Sequence, residues 1–231
     1  MKNLRHERKG VLLDLDGTIV DSREAHLEAI RAAFKAVGLE TSMVDMKTTI
    51  EIPKRLEQGL PIDGLIKGVD VRPFLKAYLD AYYKATATKA RPLPNISETL
   101  KKLSDKAKLG LITMRYVPRE TVITELEKMG LAEYFQIVVT ALDTQRPKPS
   151  PEALIACAKR MGIDTCACLV VGDSVADIRA GKAAGAKTVA VLSGIFSREE
   201  LESEKPDLIL KNVNSLPDFL DSLLEQTLSC Y

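Results

Sequence analysis

Six short runs of this chain are apolar at consecutive rather than alternate positions: residues 10–16 (GVLLDLD), 109–113 (LGLIT), 137–140 (IVVT), 167–173 (ACLVVGD), 187–192 (KTVAVL) and 207–211 (DLILK). A strand with one wet face alternates. A strand that is apolar on both faces needs cover on both, as in a parallel sheet between two layers of helix. The stretches between the runs carry the helical period. Leu27, Ile30, Phe34 and Val37 recur at three- and four-residue spacing and stop at Gly38, and Val122, Leu126 and Met129 do the same before Gly130. Residues 151–162 open on proline and close on glycine, and Asn95 with Glu98 has the spacing of a capping box at the start of 95–107. Strand and helix in alternation predict a doubly wound α/β core.

One segment breaks the alternation. Between 22 and 91 there is helical patterning and no strand pattern: Leu75, Tyr78, Leu79 and Tyr82 share one face, after a part punctuated by Pro53, Pro61, Gly64 and Gly68. RPLP at 91–94 reads as a rigid exit. The expected division is an α/β core of 1–21 and 92–231 with an α-helical insertion at 22–91.

Charge narrows the partners. The 33 Lys and Arg residues balance 32 Asp and Glu, so nothing electrostatic favours nucleic acid or an anionic membrane surface. The chain contains no apolar stretch of roughly 18 residues, so no membrane span is expected. The charged MKNLRHERKG start is not followed by a signal-type apolar segment. A cytoplasmic location is expected. Cys157, Cys166, Cys168 and Cys230 lack zinc-site spacing and nearby histidine, so reduced, buried thiols are expected.

In an open α/β sheet ligands bind beyond the carboxyl ends of the strands. Those ends carry Asp14 and Asp16, then Thr113, then Lys148 between two prolines, then Asp173 and Asp177. Adjacent carboxylates at the end of a buried strand repel and resist desolvation. A hard divalent cation offsets that cost, and Mg2+ prefers such oxygen donors. Gly17 permits a tight turn after the pair, which the Thr18 hydroxyl can hold. The set suits phosphoryl transfer. A carboxylate attacks phosphorus, positive charge compensates the phosphate oxygens, and a second carboxylate gives and takes the proton.

These residues resemble the haloacid dehalogenase superfamily, and within it the phosphoglycolate-phosphatase-like phosphatases. DLDGTIVDS is similar to the first motif, LITM to the second, RPKPSPE to the third and GDSVADIRAGKAAGAKTVAV to the fourth. The insertion at 22–91 resembles the helical cap of that group. The resemblance implies a Mg2+-dependent phosphatase that acts on a small phosphorylated metabolite through an aspartyl-phosphate. Asp14 is then the nucleophile and a metal ligand. Asp16 is the general acid and base, with its backbone carbonyl on the metal. Thr113 and Lys148 hold the phosphate, Asp173 completes the metal site, and Asp177 supports it or orients Lys148. Many relatives have asparagine after the second-motif threonine, where this chain has Met114 and Arg115. Arg115 either replaces that polar contact or faces solvent, and solvent is the expectation.

Two other readings share part of this pattern. A sugar-phosphate mutase of the β-phosphoglucomutase type has the same motifs and differs in cap and substrate. A receiver-like switch stores phosphate on aspartate, but carries the phosphorylated residue in mid-sheet. In the insertion, Lys54 and Arg55 within IEIPKRLEQGL are candidates to bind a second anionic group such as the carboxylate of phosphoglycolate. The competing reading of the pair is a solvated helix face.

Overall fold

The computed structural model describes residues 9–40 and 46–227. The chain forms two compact units, one of Met1–Val20 with Pro92–Tyr231 and one of Asp21–Arg91. The first is built on β1 (Gly10–Leu13), β4 (Lys108–Ile112), β5 (Ile137–Val139), β6 (Cys168–Gly172), β7 (Lys187–Val191) and β8 (Leu208–Leu210). They make one parallel sheet in the order β5-β4-β1-β6-β7-β8. Each expected apolar run became a strand. The reason is visible at β1, where all four residues are buried. Helices α4 (Ile96–Ser104), α5 (Arg119–Lys128), α6 (Glu152–Arg160), α7 (Val175–Ala183), α8 (Arg198–Ser203) and α9 (Leu216–Glu225) supply the crossovers and the cover.

The register decides where the chemistry falls. Leu13 lies level with Leu111 of β4 on one side and Val171 of β6 on the other. The three central strands therefore end together, and the residues that follow them meet.

The second unit holds α1 (Arg23–Ala36), α2 (Met46–Glu57) and α3 (Val71–Lys89). Its own core contains Ala29, Ile30, Phe34, Ile52, Ile66, Phe74 and Tyr78, and Phe34 meets Phe74 edge-on with ring centroids 5.5 Å apart. His26 stacks on Tyr82 at 4.4 Å and hydrogen-bonds the Tyr78 hydroxyl. The short strands β2 (Val20–Asp21) and β3 (Arg91–Pro92) pair with each other, so the rigid exit at 91 is also a strand.

Three local expectations need correction. Asn95 precedes α4 but makes no side-chain cap; it adopts a left-handed φ of 61°, and Glu98 pairs with Lys102 instead. Pro53 does not end a segment. It sits inside α2, which tolerates the missing backbone donor while burying Ile52 next to it. Cys157 and Cys168 are buried free thiols as expected, whereas Cys166 is half-buried and disulfide-bonded. A half-exposed sulfur can be reached by a partner in a way the two interior thiols cannot. Cys230 lies outside the described residues.

Candidate active site

Asp14 follows β1 directly, and its N–H donates to the Val171 carbonyl at 2.9 Å, carrying the ladder one residue past the strand. Thr113 does the same after β4, donating to Val139 at 3.0 Å. Asp173 follows β6. Lys148 comes from the loop after β5, and Asp177 from the first turn of α7. The Asp177 carboxylate caps that helix reciprocally with Ser174, which fixes its position.

Lys148 joins these elements. It is only 4% exposed, and its ammonium lies 2.6 Å from Asp14 Oδ1 and 2.5 Å from Asp177 Oδ1. It also points at the Ile112 carbonyl, beside Thr113, at 3.4 Å. Asp14, Asp173 and Asp177 each offer an oxygen, and these oxygens lie within 4.8 Å of one another. Asp173 is held by the Thr18 hydroxyl, which donates to Oδ1 at 3.0 Å rather than closing its own turn. Two glycines make room around the other oxygen. A Cβ at Gly17, whose φ is +82°, would fall 2.4 Å from Asp173 Oδ2, and one at Gly194 would fall 1.6 Å from it.

Burial pushes the Asp14 carboxyl up to about 7; Lys148 pulls it down and Asp177 pushes it back up. Burial opposes the Lys148 charge, but Asp14 and Asp177 outweigh it and hold the ammonium protonated. One buried cation thus pairs with two members of a cluster of three carboxylates. Hard oxygen donors, surplus negative charge and a glycine-lined approach fit a divalent cation such as Mg2+.

The Asp16 carboxylate stands apart from that group. Arg115, expected at the surface, is 4% exposed. Its Nε and Nη2 donate to Asp16 Oδ2 and Oδ1, each at 2.7 Å, and its Nη1 donates to Glu125 of α5. The solvent expectation fails because two carboxylates supply what a guanidinium needs in order to be buried. Glu125 went unnoticed in the sequence, although a signal was there. It lies three residues after Val122 and four before Met129, a lone charge on an otherwise apolar helix stripe. Lys54 and Arg55 lie on α2 in the helical unit, where Arg55 donates to Glu51 and to the Pro61 carbonyl, each at 2.9 Å.

Residues 11–191 match the family described as haloacid dehalogenase-like hydrolase. The phosphoglycolate phosphatase of Escherichia coli (strain K12) is 32% identical over 230 residues, covering 90% of each chain. Among solved structures, a haloacid dehalogenase-like hydrolase from Streptococcus pneumoniae superposes with a TM-score of 0.78 at 18% identity, over 93% of this chain and 99% of that one. A structure assigned as a β-phosphoglucomutase, from Thermotoga maritima, gives 0.67 at 20% identity over 93% and 99%.

Proposed function

Since the chain belongs to the haloacid dehalogenase-like hydrolase family and is a phosphoric monoester hydrolase, we propose that it is a Mg2+-dependent phosphatase of a small phosphorylated metabolite, with phosphoglycolate the leading substrate and Asp14 the nucleophile. The observation that carries this reading is the buried Asp14–Lys148–Asp177 chain beside Asp173 at the ends of β1 and β6. Membership in a hydrolase family sets aside the storage-switch reading.

Asp14 and Asp173, with the Asp16 backbone carbonyl, would hold the cation. When bound, Mg2+ supplies positive charge beside the phosphate oxygens. The Asp14 carboxylate attacks phosphorus and forms an aspartyl-phosphate. Asp16 delivers a proton to the departing oxygen and then takes one from the water that hydrolyses the intermediate. Lys148 pairs with a phosphate oxygen while Asp177 keeps it in place. The Thr113 hydroxyl accepts the Arg115 N–H at 3.2 Å and can donate its own proton to phosphate. In this reading the helical unit, Asp21–Arg91, is the part that selects the substrate beyond its phosphate.

Hydrolysis of p-nitrophenyl phosphate is expected to vanish in excess EDTA and to return with added Mg2+. Full activity in chelator would refute the metal requirement. A panel of phosphorylated metabolites with phosphate release as readout then identifies the substrate. Including hexose phosphates tests the mutase reading, because a mutase isomerises them without releasing phosphate.

The proposed cap contributes a second test. Lys54→Ala is expected to raise KM for phosphoglycolate by about 3- to 10-fold, with little change for p-nitrophenyl phosphate, since only the first carries a second anion. Arg55→Ala, which also loses the contacts to Glu51 and the Pro61 carbonyl, is expected to act in the same direction. An equal effect of Lys54→Ala on both moves the specificity elsewhere in 22–91.

A further inference from the structure

Arg115 is held at every point where it could move. Its N–H is bonded to the Thr113 hydroxyl at 3.2 Å, and its carbonyl accepts the Ala141 N–H at 3.1 Å, so the backbone is tied to the loops after β4 and β5. One edge of the guanidinium takes both oxygens of Asp16, and the Glu125 carboxylate holds Nη1. A planar fork held this way has little freedom to rotate, so the carboxylate it grips is fixed in plane and direction. The grip uses one lone pair on each oxygen of a group with roughly four acceptor positions. Proton transfer at an acceptor position outside the grip does not require the fork to open.

We propose that Arg115, anchored by Glu125, is a positioning residue that aims the Asp16 carboxylate at the oxygen of the leaving group. This rests on the phosphatase reading above. Its consequence is selective. An alkyl phosphate expels a strongly basic oxygen and depends on a well-placed proton donor, whereas p-nitrophenyl phosphate expels a weakly basic one and scarcely does. In the step that expels the leaving group, Arg115 therefore matters for the first class and little for the second, whereas any effect through Asp16 on hydrolysis of the aspartyl-phosphate is common to both. A residue that merely neutralised buried acids would act on both alike.

The test compares wild type, Arg115→Lys, Arg115→Gln, Asp16→Asn, Glu125→Gln and the double variant Arg115→Gln/Asp16→Asn. Substrates are p-nitrophenyl phosphate and glycerol phosphate, and thermal midpoints are measured in parallel. Arg115→Lys keeps the charge and loses the fork. It is expected to lower kcat/KM, which reports the steps up to departure of the leaving group, about 10- to 100-fold on glycerol phosphate and less than about fivefold on the aryl ester. Glu125→Gln is expected to move the same ratio in the same direction by a smaller factor. The double variant is expected to be no slower than Asp16→Asn, because a residue that acts through Asp16 has nothing left to aim. Equal losses of kcat/KM on both substrates, or losses that multiply in the double variant, overturn the proposal. So does unfolding of both Arg115 variants, which makes the role structural. A wild type that hydrolyses no phosphate ester removes the phosphatase reading and this inference together. An active wild type with multiplying losses removes the inference alone.

Discussion

Asp14→Asn is expected to lower kcat on any phosphate ester by a factor on the order of 10⁴ or more while leaving the chain folded. An amide is a poor nucleophile and a poor partner for a hard cation, yet its oxygen can still accept from Lys148 at the position of Asp14 Oδ1. The same substitution is expected to change stability in the opposite sense. Burial holds the native Asp14 carboxyl near 7 against an ordinary 3.8, so between those values the folded chain binds more protons than the unfolded one. The stability this supplies is complete below about pH 4 and is lost as pH rises through about 7. In chelator, wild type should therefore weaken from pH 4 to pH 8 by no more than about 4 kcal/mol, and the asparagine variant should show a flatter profile. Denaturant melts at several pH values measure this. Identical profiles would show that Asp14 is not the strained group, and retained turnover would remove it as nucleophile.

Such strain was legible in the sequence as a contradiction. A run as apolar as GVLL does not end on two carboxylates without a reason, and the reason required other groups at other strand ends. The fold was legible for a related cause. Consecutive apolar positions leave a strand no wet face, and parallel pairing between helices accommodates that at β1, β4, β6 and β7. What the sequence hid was pairing between distant side chains. Arg115 reads as a loop residue because nothing local says that Asp16, 99 positions away, and Glu125 will meet its guanidinium. Asn95 misled in the other direction. The capping spacing is present, but Asn95 takes a left-handed φ of 61° and makes no side-chain cap.

Lys148→Met is the second large effect expected. The ammonium is buried and contacts both Asp14 and Asp177, so its removal leaves two carboxylates close together with no cation between them. Breaking one partner out of a buried ionic set costs about 3 to 5 kcal/mol, more than the methionine stem returns by filling the volume. The loss should be largest near pH 8 and shrink as pH falls, because uncompensated buried acids protonate and cease to repel. Added Mg2+ should recover more stability in this variant than in wild type, since a cation that binds only the folded chain stabilises it by mass action and here also replaces the missing charge. Turnover should fall about 10²- to 10⁴-fold even at saturating Mg2+, because a charge aimed at the phosphate oxygens is lost. Thermal melts with and without Mg2+, alongside kcat on p-nitrophenyl phosphate, separate the two contributions. A variant with wild-type stability in chelator would mean that Asp14 and Asp177 do not depend on Lys148 for their burial, and the ionic chain would then not be what holds the strand ends together.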